Sequence, residues 1–282
     1  MLADFIQFDF LRNTFITGIL IGIIAPLLGC FLVVRRLSLL ADSLSHVTLA
    51  GVAFGLMIEK LLFIPINPLY SGMGFSVIGA ILIEKLRSVY TAYQEIGIPI
   101  VLSAGVGLSV IFISIANGFN TDLFNYLFGS VSAVSQNDLI TISIITLFII
   151  LLVVLFYKEL LTLSFDEEHA IVSGIHASRI HFLFIVLTAL VIAASIRIVG
   201  VLLVSALMTL PVASAMRIAI SFKQLVFLSI IFAEIAVITG LISGYIFSIP
   251  PGGTIVIVAI VILIFSIIAK TISLRLQKGV DS

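Results

Sequence analysis

The sequence has no tryptophan, a single cysteine and no surplus of either charge. Cys30 alone cannot close an internal disulfide, and a lone thiol excludes a cysteine-rich metal site. It reads as a small packing residue in the first apolar run. Without tryptophan, an interfacial aromatic belt must rest on Tyr and Phe. Fourteen basic and fourteen acidic residues cancel, so bulk charge makes no case for nucleic acid as a partner. No Gly-x-x-x-x-Gly-Lys-Ser/Thr run is present, so the chain does not hold ATP through a P-loop. No His-Glu-x-x-His is present either, which excludes a zincin-type protease. Nor are the carboxylates paired in a way that proposes acid–base hydrolysis.

What the chain does have is apolar length. Of its 282 residues, 61% are hydrophobic and 10% charged. No soluble domain buries that fraction. The expected fold is all-α: a polytopic helix bundle in the lipid bilayer, one domain over 1–282. Residues 1–13 read as an interfacial lead-in and not as a signal peptide, because a basic start and a small-residue cleavage site are missing. Spans are expected at about 14–34, 37–58, 62–83 (entered through Pro65 and Pro68), 97–116 and 139–156. Residues 180–216 have the length of two more, with a tight turn near 195–197 and Pro211 breaking the second. Another follows at about 224–245, and a last one ends at Lys270. Residues 117–138 carry no Lys or Arg and read as a long external loop, turn-like at 129–132. Lys and Arg gather at 35–36, 85–87, 158–179, 217–223 and 270–278, which marks those turns as cytoplasmic. The result is nine spans, N-terminus outside and C-terminus cytoplasmic. A re-entrant first segment or 180–216 pair would change the count, so eight or nine transmembrane helices are expected.

Of the four histidines, only His46 reads as lying deep in an apolar span. Asp42 and His46 are four positions apart, so they share one helix face about a turn apart. Both can point at one ion. A carboxylate with a neutral imidazole suits zinc, manganese or iron. The helical rise puts His46 roughly 15 Å beyond Arg36, near the middle of a hydrocarbon layer about 30 Å thick. Such a pair is costly there unless a cavity, a partner or a passing ion satisfies it. Two readings stand: an ion path, or a pair that bonds to neighbouring helices and holds the bundle.

The most charged inner loop carries a second signal. Ser164-Phe165-Asp166-Glu167 fits a capping box, and Gly174 can supply a left-handed stop. The predicted helix spans 165–173, about 14 Å long, and is acidic at its start, as the helix dipole prefers. A short capped helix on the cytoplasmic face is a rigid knob that can press into a partner's groove. Its docking residues would be Asp166, Glu167, Glu168, His169, Ala170 and Gly174. The alternative, a helix lying on lipid, is weakened by its lack of Lys and Arg. Glu234 reads either as a further ligand near the ion path or, ahead of that, as a helix–helix bonding residue. Arg197 is expected at an external turn, snorkelling to the interface. Around Pro211, Ser205 and Thr209 give a small, hydroxyl-rich segment suited to lining a cavity or to a simple kink.

These residues resemble a known family. Arg35-Arg36-Leu37-Ser38-Leu39-Leu40-Ala41-Asp42-Ser43-Leu44-Ser45-His46 is similar to the signature after the first span of ABC-type zinc/manganese importer permeases. So are Asp122-Leu123-Phe124-Asn125-Tyr126-Leu127-Phe128-Gly129 with Ala133-Val134-Ser135, the block from Val199 to Ala213, and Pro251-Gly252-Gly253. The resemblance covers essentially the whole chain. It implies a homodimeric permease in a bacterial plasma membrane, with the path at or beside the two-fold axis. It implies a separate cytoplasmic ATP-binding subunit docked on the loop helices, and an extracytoplasmic metal-binding protein that delivers the ion. Asp42 and His46 would contact the metal, and 165–173 would be the coupling helix. Leu49-Ala50-Gly51-Val52-Ala53-Phe54-Gly55 looks more like the zinc branch; manganese relatives often have Pro where Ala50 stands.

The chain is therefore expected to be a transport subunit and not an enzyme. It would move a divalent transition metal, zinc first and manganese or iron as the alternative, with no permanently bound cofactor. A gradient-driven secondary metal transporter is the rival from another class.

Overall fold

The computed structural model describes residues 8–63, 67–116, 121–132 and 134–280. Most of the lead-in (1–7), Pro65 and part of the 117–138 loop lie outside the described residues. Within them the chain forms twelve α-helices and no strand. In chain order they are α1 (Asp9–Val34), α2 (Ser38–Leu62), α3 (Pro68–Val89), α4 (Gly97–Ile115), α5 (Thr121–Phe128), α6 (Gln136–Leu155), α7 (Tyr157–Phe165), α8 (Glu167–Val172), α9 (Ala177–Val199), α10 (Val204–Met216), α11 (Phe222–Phe247) and α12 (Pro251–Val280).

Eight of these are long and apolar enough to cross a membrane. The remaining pass, α10, has 13 residues. It starts beside α5 and the end of α9. It finishes where Val212 and Ala215 pack with Cys30, Val33, Val34 and Leu225, at the end of α1. It is apolar but shorter than a full span. Its N-terminal side is unwound instead of helical, and the reason is local. Gly200 adopts φ +84 and ends α9, and a Cβ there would lie 2.4 Å from the Leu127 carbonyl oxygen. Gly252, at the start of α12, faces the Val199 oxygen at 1.9 Å by the same measure. Backbone meets backbone at this knot, which only residues without a Cβ permit.

Three expectations are corrected here. The turn of the 180–216 pair falls after Val199, not at 195–197. Pro211 does not break its helix, which runs through it. Proline does remove the i→i−4 bond to the Leu207 carbonyl, but close packing on α1, α11 and α12 holds the helix together. The 117–138 segment, expected as a loop, also contains α5.

Packing follows the hydropathy. α2 and α9 are buried over most of their length, while α6 and α12 leave most of theirs at the surface. Ile144, Leu147 and Leu151 on α6, and Ile257, Ile264 and Phe265 on α12, are exposed. Lipid solvates such side chains as well as protein does, so the outer helices need no polar face. α2 packs on α3 and α4, with α9 and α10 also against it. The helix carrying Asp42 and His46 is therefore central.

Candidate metal site and docking helix

α2 is held to α4 by its own polar residues. Ser43 Oγ donates to the Ile98 carbonyl at 3.1 Å, and Ser109 Oγ donates to the His46 carbonyl at 3.2 Å. Gly105 lets the two helices close: a Cβ there would sit 2.8 Å from the Val47 nitrogen. Ser45 and Thr48 bond back to carbonyls of α2 itself. These residues are buried. Asp42 and His46 lie on a different stripe, with exposed Leu39, and both are half-buried. Among the described residues neither side chain has a hydrogen-bond or ion-pair partner, and no group of three His, Cys, Asp or Glu could hold a metal. One chain thus presents two ligand-type side chains, one turn apart, on a face its own bundle leaves open.

The other predicted path residues are placed as follows. Ser205 and Thr209 are half-buried on α10, which packs against α2. The Thr209 hydroxyl donates to the Ser205 carbonyl at 2.9 Å. Pro211 is buried. Glu234 lies on α11, whose backbone approaches α1, α10 and α12 but, among the described residues, not α2. Its carboxyl rests on Gly22, where a Cβ would lie 2.6 Å from Oε1, and that oxygen is buried without a hydrogen-bond partner.

The helix expected to dock a partner is shorter than its motif suggested. α8 has six residues, Glu167–Val172, not nine. Ser164 does not cap it: its hydroxyl donates to the Leu160 carbonyl at 2.6 Å, inside α7. Asp166 is the cap, accepting from the His169 amide at 2.8 Å. Gly174 does take the left-handed stop, at φ +83, with nothing within 4 Å of its absent Cβ. Ala170 is buried, while Glu167, Glu168, His169, Ile171 and Val172 are exposed. The knob therefore offers an acidic start and an apolar end.

Sequence reasoning missed two polar clusters. Arg197 does not snorkel. Its Nη1 lies 2.9 Å from Asp138 Oδ2 and its Nη2 donates to Asn67 Oδ1 at 3.1 Å. This cluster borders a cavity of about 380 Å³, which Glu59, Asn125, Ser130 and Ser132 also line. At the opposite end of α9 His181 is 2% exposed, against the expectation that His46 alone was deep in a span, and it sits between Arg35 and Glu84.

Comparison with known proteins follows from this geometry. The ABC 3 transport family model matches residues 7–270. A manganese import system permease protein, ScaB of Streptococcus gordonii, is 33% identical over 94% of this chain and 95% of its own. A high-affinity zinc uptake system membrane protein, ZnuB of Haemophilus influenzae, is 30% identical over 94% of this chain and 99% of its own. Among solved structures, PsaBC from Streptococcus pneumoniae in complex with Fab superposes with a TM-score of 0.80 at 34% identity. That match covers 94% of this chain and 95% of the other.

Proposed function

The chain belongs to the ABC 3 transport family, whose relatives are membrane permeases and not enzymes, and from that premise we propose that it is the permease subunit of an ATP-driven importer for a divalent transition metal. The observation that carries the proposal is the unpartnered Asp42–His46 pair on the central helix. Two ligands fall short of the four of a closed tetrahedral site. A second copy facing the first would supply two more, so the permease works as a homodimer with the ion between α2 helices. Carboxylate and neutral imidazole hold the ion loosely enough to release it, as a transit site requires. Ser205 and Thr209 line the same path, Pro211 shapes α10 from its buried side, and Glu234 packs on Gly22 of α1 with no hydrogen bond to it.

A separate cytoplasmic ATP-binding subunit docks on Asp166 to Gly174, and an extracytoplasmic metal-binding protein delivers the ion at the outer end. Zinc is the first reading, from the Leu49 to Gly55 segment. Manganese is the second, favoured by the manganese permease being somewhat more identical than the zinc one. Mixed oxygen–nitrogen ligands accept both.

Vesicles holding the permease with its ATP-binding subunit should accumulate zinc or manganese only when ATP is supplied. Accumulation without that subunit, driven by an ion gradient, would overturn the proposal in favour of a secondary transporter. A second result concerns the knob. Gly174→Val forces a β-branched residue into the left-handed region, where even an ordinary L-residue costs about 1–2 kcal/mol. Since a Cβ there meets nothing, the cost is backbone strain alone. Less ATP-binding subunit should co-purify with this variant, and Gly174→Asn should be tolerated better. Unchanged co-purification of Gly174→Val would contradict the docking role.

A further inference from the structure

The inner end of the bundle holds a charged bridge that joins the docking helix to the helix bearing Asp42 and His46. Arg35 ends α1 and stands three residues before α2, across the left-handed Arg36 (φ 58). Its Nη2 donates to His181 Nδ1 at 2.5 Å, and its Cζ lies 5.4 Å from the Phe184 ring centroid. Burial and then Arg87 push the Arg35 guanidinium down to about 10, so it stays a cation and a donor at neutral pH, and Glu167 on α8 acts on it in the opposite sense. A guanidinium only donates, so Nδ1 must accept and the proton of the neutral imidazole sits on Nε2. That Nε2 faces Glu84 Oε2 at 3.5 Å. Glu84 is shared with Arg87, also at 3.5 Å, and Arg87 donates to Gln94 at 2.6 Å.

His181 lies in the second turn of α9, and the link from α8 to α9 is short and bonded. Ile175 donates its amide to the Ala170 carbonyl at 3.0 Å, closing α8 onto the turn before α9. The bridge is not fully made in this conformation. Arg35 Nη1 and His181 Nε2 are both buried without a hydrogen-bond partner. Buried donors left unpaired are costly, and a shift of under ~1 Å would close Nε2–H onto the Glu84 carboxylate. The bridge therefore has room to tighten by a small movement.

We propose that His181 is a positioning residue of the transport cycle: it ties Arg35 to Glu84, so that movement of α8 by the docked ATP-binding subunit shifts the start of α9 and, through Arg35, the start of α2. This rests on the permease function proposed above. The test uses the whole complex, permease with ATP-binding subunit, in vesicles supplied with metal-loaded binding protein. Uptake of zinc or manganese and ATP hydrolysis are measured together. If the wild type hydrolyses ATP without accumulating either metal, the function itself fails, whatever His181 does.

Given wild-type uptake, His181→Ala should assemble and hydrolyse ATP within about twofold of wild type, while ions moved per ATP fall about tenfold, a coupling loss of ordinary size. His181→Asn keeps an acceptor near the Nδ1 position and should regain part of the ratio. Glu84→Gln removes the carboxylate with little change of shape and should lower the ratio with assembly intact. The idea is overturned if ions per ATP are unchanged in His181→Ala and Glu84→Gln. It is equally overturned if uptake and hydrolysis fall in proportion in both, which is what a purely structural role gives.

Discussion

His46→Ala and Asp42→Ala should each lower metal uptake by about 100-fold, the upper end of what even an outer-layer change does to a metal site, while membrane abundance stays near normal. The second half of that expectation comes from the packing. Neither side chain has a partner within its chain among the described residues, and both face the open side of α2. The bundle is held there by Ser43, Ser109 and Gly105, which both substitutions leave alone. Removing an ionisable group from a span also removes its cost of burial. His46→Asp would turn the site toward oxygen alone and should shift preference toward manganese over zinc. Uptake is measured beside immunoblotted membranes. Loss of the protein together with uptake would assign the pair to structure instead.

Arg197→Ala should act the opposite way, removing the protein and not the chemistry. Asp138 is 1% exposed and is paired to the Arg197 fork. It also completes the capping box of α6, whose N-cap is Ser135, accepting from the Ser135 hydroxyl at 2.7 Å and amide at 3.0 Å. Arg197 further joins α3 through Asn67 and lies 5.4 Å over the Tyr126 ring. Truncating one partner of a buried pair costs about 3–5 kcal/mol, because a charge is left uncompensated. Membrane abundance and the unfolding temperature in detergent should both drop. Asp138→Asn in the Arg197→Ala background keeps an acceptor for Ser135 in the capping box without the charge and should restore part of both. Arg197→Lys keeps charge but loses the fork, so it should fall between. An Arg197→Ala protein at full abundance and unchanged unfolding temperature would show that the pair contributes little.

The parts of this fold legible in the sequence are those governed by local period and length. Apolar runs gave the long helices, and the four-residue spacing of Asp42 and His46 placed both on one face. Gly174 announced a left-handed stop because no other signal suits that position. The docking helix was found but drawn too long, since Ser164 can cap a helix or bond back into one and here does the second. The pairing of Arg197 with Asp138 was not legible: the partners meet only when α6 and α9 pack, and nothing near either residue names the other. His181 was missed for the same reason. Its partners come from α1 and α3, and a histidine near a span end looks like any loop residue. α5 is too short to declare itself in a loop without basic residues.

Equilibrium dialysis of the purified permease–ATP-binding subunit complex against zinc and against manganese, with element-specific detection, tests the central claim most directly. One ion per two permease chains is expected for at least one of the two metals, absent in Asp42→Ala and in His46→Ala. One ion per chain, or binding that survives both substitutions, would contradict it.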